Sequence, residues 1–389
     1  MVTYVALLML LQMGMASATA TLCSALLFVP WVLKSFMRPW VYRVGNFREM
    51  LLVIEALLFV CLVLLAFSFN LGVVAVFFAL FFVSLLCAWH ELTARMYYES
   101  ALRPSFRRLL TVPKHVCSGA AVIFTYGALI FLVGTLEVYF RQISYSWSLG
   151  CYVTAGLFLL LSLAPAAFFN RTSSRATYKG EAYVKMHART ASPLERADVK
   201  LFLLLFLLLL PQALMFFSRV LYLYDAHARG GLQCTIQEIG FAQGTVGVIA
   251  FSLGIALGRR SSLSSIHSSL FWLLALCLVL SPFVYLGMTI RPPQSLLELC
   301  LCTMTAQLLF GLGIGVCRLP IGVLSGTLHQ NTSGMLRIPF VAAAMFVPMA
   351  ISGWMVERLG YDVFFLVNAL SAPVCLLGVF LLRRKTQRA

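Results

Sequence analysis

The stretch "NRTSSRATYKGEAYVKMHARTASPLERAD", from Asn170 to Asp198, is the longest polar segment inside the chain. It contains six lysines and arginines and separates two parts of similar length and composition. On both sides of it, apolar runs follow one another, each of about the 20 residues that a helix needs to cross a bilayer. The stretch is therefore predicted to connect two sets of membrane-spanning helices.

The overall composition supports an α-helical membrane protein. Of the 389 residues, 61% are hydrophobic and only 11% are charged, whereas soluble domains contain about 25% charged residues. A transmembrane barrel would have segments of about ten residues with alternating polarity, and the chain has none. We therefore predict an all-α membrane protein made of two six-helix bundles.

Twelve spans are predicted from apolar runs that end at charges or at proline and glycine. Residues 1–33 carry no charge, which is long for one span and short for two, so the first helix is expected to be truncated. The predicted spans are 2–13, 17–37, 50–68, 71–93, 115–140, 147–169, 200–223, 238–258, 267–288, 295–317, 337–356 and 362–382. The predicted domains are an N-terminal bundle, 1–169, a basic linker, 170–199, and a C-terminal bundle with a short basic tail, 200–389.

Basic residues alternate between the connections and predict the topology. Of the 29 lysines and arginines, 24 fall on one side of the predicted membrane. The four on the other side are Arg141, Arg229, Arg291 and Arg358. By the positive-inside rule, the first side, with the linker and the C-terminus, is cytoplasmic. A basic surface for nucleic acid would not alternate in this way, so we expect a multi-pass protein of the bacterial inner membrane without a nucleic-acid partner.

Several classes of reactive site are not indicated. Most of the eleven cysteines lie inside apolar runs, where they resemble small hydrophobic side chains. Cys300 and Cys302 are two residues apart, which directs them to different sides of a helix, so no metal site is predicted and no cofactor is expected. No HExxH, GxSxG or paired aspartates occur, which makes a membrane-embedded transferase a weak alternative.

The eighth predicted span is rich in glycine. "GFAQGTVGVIAFSLGIALGRR", residues 240–260, contains Gly240, Gly244, Gly247, Gly254 and Gly258. In an α-helix these five glycines share one face, and small residues let membrane helices approach closely. The face is therefore predicted to pack against another helix, either as a static contact or as a contact between the bundles that moves.

Four stretches resemble a known family of transporters. They are "FVPWVLKSFMRPWVYRV" (Phe28–Val44), "WHELTARMYY" (Trp89–Tyr98), "GFAQGTVGVIAFSLG" (240–254) and "PMAISGWMVERLGYDVFFLVNALSAP" (Pro348–Pro373). In this order and spacing they resemble the major facilitator superfamily, and within it the peptide–acetyl-CoA transporter branch, which includes anhydro-muropeptide permeases. The resemblance implies two bundles that rock around a central cavity.

The chain departs from the pattern of that branch at acidic positions. Tyr42 stands where the loop after the second helix usually has an acid, and Gln212 stands where close relatives have an acid in the seventh helix. Gln307 lies next to a position that is acidic in the tenth helix of relatives. The missing acids leave open a degenerate relative that acts as a sensor or is a remnant, without transport.

Arg219 is the first candidate for contact with a solute. It lies within the seventh span, with Gln212 seven residues earlier on the same helical face. One interpretation is an arginine that snorkels to the outer interface with help from Asp225. The other is a cation in the cavity that binds an anionic solute through its guanidinium group.

A second group of candidates lies near the cytoplasmic ends of the second and fourth spans. Glu91 and Arg95 can pair within one helix, or Glu91, next to His90, can form a gate that responds to protons. Lys34 is interpreted either as snorkelling to the cytoplasmic headgroups or as part of the cavity. Glu55 is expected to pair with a basic residue of the second helix.

These observations predict a secondary transporter that works by alternating access. The expected solute is small, anionic and amphiphilic, such as a muropeptide, because Arg219 suits a carboxylate or a phosphate. The expected partners are that solute, the lipid bilayer and, through Glu91, protons. The protein is expected to be a monomer and not an enzyme.

Overall fold

The computed structural model describes residues 2–34, 37, 40–41, 46–101, 110–169, 196–263, 268–328 and 337–386. All regular secondary structure in these ranges is helical, which confirms the predicted fold class. Most of the predicted linker, with Arg38, Tyr42 and Arg43 of the second predicted span and the loop after it, lies outside the described residues.

The N-terminal half contains six helical units. They are α1, Val2–Gln12; α2, which consists of Ser17–Leu26 and Val29–Val32; α3, Phe47–Ser68; α4, Val73–Ala101; α5, which consists of Thr111–Ile123, a π-helical segment Phe124–Ala128 and Leu129–Phe140; and α6, Ile143–Phe169. α1 is short and is buried on all sides from Thr3 to Leu11. A helix that is apolar around its whole circumference belongs in the interior, so α1 lies at the centre of the molecule.

The C-terminal half repeats this arrangement. Its helices are α7, Arg196–Tyr224; α8, which consists of Ile236–Ile239, a π-helical segment Gly240–Val246 and Gly247–Leu263; α9, Ser268–Ile290; α10, Leu296–Leu328; α11, residues 337–359; and α12, residues 361–370 and Ala372–Thr386. Gly360, with φ 75° and ψ 167°, separates α11 from α12. This conformation is accessible to glycine and strained for other residues, so the chain turns there.

Each predicted span coincides with one of these helices. Eight helices of the described part are long and apolar enough to cross a membrane, and the last, Val341–Leu381, includes both of the final predicted spans. The remaining apolar helices are shorter: Val2–Gln12, Ser17–Val32 and Ala275–Ile290. The protein is therefore a multi-pass membrane protein.

α2 is not the continuous helix that was predicted for 17–37. It stops at Leu26 and resumes at Val29, with Pro30 in the first turn of the second piece. Proline has no backbone N–H to donate to the preceding turn, and its ring crowds the carbonyl four residues earlier. The interruption lets the second half of α2 take its own direction toward α4.

The two halves meet through two pairs of helices. α2 packs against α11, and α5 packs against α8. A Cβ atom on Gly353 of α11 would lie 2.6 Å from the carbonyl oxygen of Ser17 in α2, so the two backbones touch. We name the side where α6 ends and α7 begins the linker side, and the opposite side, where α1 ends and α2 begins, the far side.

Candidate functional site

A cluster of aromatic and basic side chains lies where helices of both halves meet. Its members are Tyr4 of α1, Tyr126 of α5, Phe216 and Arg219 of α7, and Tyr285 of α9; we name it the Arg219 cluster. The rings of Tyr4 and Tyr126 are stacked, with centroids 4.5 Å apart and planes 30° apart. Arg219 is close enough to interact electrostatically with all three tyrosines. The cluster therefore joins side chains from the N-terminal and C-terminal halves around one positive charge.

The guanidinium of Arg219 has unused capacity to bind. Its carbon Cζ lies 5.3 Å from the centroid of the Phe216 ring, a cation–π arrangement. Its Nε is buried, and among the described residues it has no hydrogen-bond partner. An N–H group left unpaired away from water is costly. A planar guanidinium in this state is suited to donate hydrogen bonds to the two oxygens of a carboxylate.

A second unpaired group belongs to the same cluster. The Tyr4 side chain is 1% exposed, and its hydroxyl has no hydrogen-bond partner among the described residues. The hydroxyl of Thr3, the preceding residue of α1, is likewise buried and unpaired in the described part. Buried hydroxyls are normally hydrogen bonded. Within the described residues, Tyr4 and Arg219 are thus two members of the cluster whose hydrogen-bonding capacity is not fully used.

A buried amide holds Tyr285 in place. The Tyr285 hydroxyl donates to Oε1 of Gln243 in α8 over 3.3 Å. Gln307 of α10 is also buried and lies close enough to Tyr285 to interact with it. The candidate Gln307 therefore lies beside the wall of the Arg219 cluster.

Two π-helical segments, one from each half, meet beside the cluster. Phe124–Ala128 contains Tyr126, and Gly240–Val246 contains Gln243. A Cβ atom on Gly244 would lie 1.8 Å from the backbone oxygen of Tyr126, so the segments are in backbone contact. Such segments occur often at functional sites because the wider turn redirects side chains.

The five glycines of α8 have two neighbours. Gly240 and Gly244 face α5, where a Cβ atom would collide with the backbone of residues 126–131. Gly254 and Gly258 face the backbone of α10, and Gly247 faces the Gln307 side chain. One part of the set therefore lies between the halves, and the other part lies inside the C-terminal half.

Gln212 and Asp225 have partners outside the cluster. The Gln212 amide donates to the carbonyl oxygen of Leu278 in α9 over 2.8 Å. Asp225 Oδ2 accepts a hydrogen bond of 2.5 Å from the Tyr361 hydroxyl, and the arginine whose charge acts on it is Arg229. Among the described residues no ion pair joins Arg219 to Asp225, whose carboxylate is held by Tyr361 of α12 with Arg229 nearby, so the help that Asp225 was expected to give Arg219 is not present.

Lys34 and Glu91 form an ion pair near the linker side. Nζ of Lys34 in α2 donates to Oε2 of Glu91 in α4, and the same oxygen accepts a 3.1 Å hydrogen bond from Nε1 of Trp31. Lys34 is 5% exposed, so the interpretation as a lysine that snorkels to the headgroups is wrong. The predicted pairing of Glu91 within α4 missed this partner, because Pro30 and the break in α2 bring Lys34 to α4.

His90, the residue of α4 before Glu91, contacts α3. Nε2 of His90 lies 3.3 Å from Oε1 of Glu55, whereas Arg38 and Arg43, two of the basic residues with which Glu55 could pair, lie outside the described residues. Arg95, one turn further along α4, is close enough to Lys34 to interact with it electrostatically. The predicted candidates His90, Glu91, Arg95 and Lys34 thus come together as one linker-side group, separate in position along the helices from the Arg219 cluster.

A cavity of about 1240 Å³ opens on the far side between the ends of the helices. Its polar lining includes Gln12, Glu137, Asp225, Arg229, Gln237 and Glu357. Two hydrogen bonds beside it join the halves. Oε1 of Glu357 in α11 accepts from the backbone N–H of Ala18 in α2 over 2.7 Å, and Gln237 of α8 donates to Thr135 of α5 over 3.1 Å.

Five residues in or beside the Arg219 cluster were missed by sequence reasoning: Tyr4, Tyr126, Phe216, Gln243 and Tyr285. A tyrosine in an apolar helix is common, and only the three-dimensional arrangement places three of them around Arg219. Gln243 offered a usable signal, because it is a polar residue inside the glycine-rich run of α8.

The comparisons with known proteins show the fold. No known protein-family model matches the chain, and no curated protein matches it in sequence. The inward open xylose transporter XylE from E. coli is 12% identical, with a TM-score of 0.60 over 96% of this chain and 91% of that one. The chain has the major facilitator superfamily fold.

Two further structures support this fold. The partially occluded inward open form of the same E. coli transporter matches with a TM-score of 0.55 at 12% identity, over 95% of this chain and 91% of that one. The proton:xylose symporter XylE bound to 6-bromo-6-deoxy-D-glucose matches with 0.51 at 12% identity, over 95% and 87%. The prediction of the superfamily fold is thereby confirmed.

Proposed function

We propose that this protein is a secondary active transporter that moves a small anionic solute across the bacterial inner membrane by alternating access. The observation that carries the proposal is Arg219, whose buried Nε has no hydrogen-bond partner in the described part of the chain and which lies in a cluster built from both halves. A charge within the membrane is costly and is usually retained where it contacts a solute or a partner. The basic linker and the C-terminus lie in the cytosol in this proposal.

The amphiphilic character of the solute follows from the walls of the same cluster. Tyr4, Tyr126, Phe216 and Tyr285 offer aromatic faces next to the single cation. The resemblance of the four sequence stretches to muropeptide permeases adds anhydro-muropeptides as the first candidates. The structural neighbours are named as transporters of xylose, so a neutral sugar is the natural comparison.

The linker-side group is proposed to couple transport to protons. Glu91 shares one oxygen between Lys34 and Trp31, and His90 lies next to it against Glu55. Protonation of this group would alter how α2, α3 and α4 are held together.

The test is uptake into proteoliposomes that contain the purified full chain, with and without a proton gradient. The solutes are labelled anhydro-muropeptide and labelled xylose, and the variants are Arg219→Ala and the matched control Arg291→Ala, an exposed arginine of the far side. We expect saturable uptake of the anion by the unaltered protein and by Arg291→Ala. In Arg219→Ala, uptake should fall by at least about tenfold, because a hydrogen bond to a charged group is lost. Equal uptake by both variants, or no uptake of the anion, would contradict the proposal.

A further inference from the structure

We propose that the Arg219 cluster recognises one carboxylate group attached to a planar ring, so that its ligands are ring-bearing monocarboxylates and not phosphates or neutral sugars. The proposal rests on the proposed transport function and narrows its solute. It follows from the charge of the site, from its aromatic surfaces and from the hydrogen-bonding groups that are already occupied.

The charge of the site matches a single negative charge. Within the described residues, Arg219 is the cation whose charge acts on Tyr4, Tyr126 and Tyr285. Lys34 is used by Glu91. A phosphate monoester would bring close to two negative charges into a site with one cation, and an uncompensated buried charge is strongly disfavoured.

The unpaired donors match the shape of a carboxylate. Arg219 offers the planar fork of a guanidinium, whose Nε–H has no partner in the described part of the chain. The Tyr4 hydroxyl, on a side chain that is 1% exposed, is unpaired within the same residues and can donate a further hydrogen bond. Guanidinium groups bind carboxylates through two parallel hydrogen bonds.

The aromatic walls favour a flat body on the solute. Tyr4 and Tyr126 already stack at 4.5 Å, and Phe216 lies under the guanidinium. Tyr126 and Phe216 keep part of their surface accessible, unlike the buried Tyr4 and Tyr285. A planar ring next to the carboxylate can therefore lie against an aromatic face in an offset or edge-to-face arrangement.

One acceptor that a sugar hydroxyl could use is occupied. Oε1 of Gln243 accepts a hydrogen bond from the Tyr285 hydroxyl. A polyhydroxy solute needs many donors and acceptors to replace its bonds to water. The aromatic rings that form the walls of the cluster offer none, which favours a solute with one polar end.

The test measures equilibrium binding by titration calorimetry with the purified full chain in detergent. The probes are 3-phenylpropionate, its neutral amide, 3-cyclohexylpropionate, phenyl phosphate and xylose. We expect 3-phenylpropionate to bind at least about tenfold more tightly than each of the others. The amide lacks the negative charge, the cyclohexyl compound lacks the flat ring, phenyl phosphate carries a second negative charge, and xylose lacks both the charge and the flat ring. Tyr4→Phe should weaken 3-phenylpropionate about threefold to tenfold, and Arg291→Gln should leave it unchanged.

The probe series tests the proposal on the unaltered chain, so it does not depend on whether variants fold. If the amide bound as tightly as 3-phenylpropionate, the role of the carboxylate would be overturned. If 3-cyclohexylpropionate did so, the role of the flat ring would be overturned. If phenyl phosphate did so, the argument from a single negative charge would be overturned. Absence of binding by 3-phenylpropionate overturns the whole proposal, even if another anion is transported. Binding without transport in proteoliposomes would instead contradict the proposed function.

Discussion

The carboxylate of Glu357 in α11 accepts a 2.7 Å hydrogen bond from the backbone N–H of Ala18 in the first turn of α2. The two residues belong to different halves of the molecule and are 339 positions apart. A negative charge at a helix N-terminus is stabilised by the unpaired N–H groups and by the helix dipole. This bond therefore holds the halves together on the far side, next to the close contact of Gly353 with Ser17.

Glu357→Ala should release the far-side end of α2. The loss of a side-chain cap costs about 0.5–2 kcal/mol, so we expect faster amide hydrogen exchange at residues 17–21. The measurement is hydrogen exchange read by mass spectrometry. The matched control is Glu298→Ala, since Glu298 accepts a 2.7 Å bond from the backbone N–H of Gln294 just ahead of its own helix. Unchanged exchange in α2 would mean that Glu357 does not hold the halves together.

Gly244→Ala should block the contact between α5 and α8. The added methyl group would lie 1.8 Å from the backbone oxygen of Tyr126, and backbone cannot move aside as a flexible side chain can. Overpacking of this kind costs about 1–3 kcal/mol, so we expect a lower Tm and loss of transport. Gly156→Ala is the control, because nothing lies within 4 Å of its added carbon. A Gly244→Ala protein with normal Tm and uptake would show that the halves separate there.

Asp225 should make stability depend on pH. Burial is the main cause that raises the pKa of its carboxyl above the ordinary 3.8; the charge of Glu357 adds to the rise, and the Tyr361 hydrogen bond and Arg229 oppose it. The folded state therefore holds this proton more strongly than the unfolded state. The proton on Asp225 therefore adds to the free energy of unfolding. This contribution is complete below pH 3.8 and is lost as the pH rises through the raised pKa of the folded state.

The measurement for Asp225 is the Tm of the protein between about pH 4 and pH 8. Asp225→Asn should flatten the decline with pH, because the side chain no longer titrates. Tyr361→Phe should extend the decline to higher pH, since it removes the hydrogen bond that lowers the pKa. If the three proteins gave the same profile, Asp225 would not titrate differently on unfolding.

Removing one partner of the Lys34–Glu91 pair should lower the free energy of unfolding more than removing both partners. Glu91→Gln leaves the buried ammonium of Lys34 without its counter-charge; the Glu91 side chain is 47% exposed, so the loss in unfolding free energy should be smaller than the roughly 3–5 kcal/mol of a fully buried pair. Lys34→Met combined with Glu91→Gln removes the charge as well, so its Tm should lie above that of Glu91→Gln alone. Glu49→Gln, an exposed acid of α3, serves as the control. Additive losses in the double variant would show that the two side chains are not coupled.

The sequence predicted the helices well because a bilayer requires long apolar runs, and charges or glycines end them. The positions of α1 to α12 agree with the predicted spans within a few residues, except that α4 and α10 are longer. Spacing along one helix also identified Arg219 and the glycines of α8 as unusual. These are properties of a single segment, which the order of residues contains directly.

The partners of these residues could not be predicted in the same way. Lys34 reaches Glu91 because of the break before Pro30, and Glu55 reaches His90 because of how α3 and α4 are rotated. Rotation and depth of a helix depend on packing with several neighbours, and no local spacing encodes them. The Arg219 cluster combines residues of α1, α5, α7 and α9, so it exists only once both halves are assembled.

The number of residues in the π-helical segment Gly240–Val246 determines the direction in which the Gln243 side chain of α8 points. A π-helical turn accommodates one residue more than an α-helical turn, so loss of a single residue there would let the backbone relax to ordinary α-helix with the rest of α8 nearly in register, and it would redirect the Gln243 side chain. Gln243 could then not support Tyr285 while Gly254 and Gly258 kept their places on α10. A one-residue insertion or deletion at this point would therefore alter the hydrogen bonding of Tyr285 without altering the number of helices, a route by which proteins that share this fold could diverge.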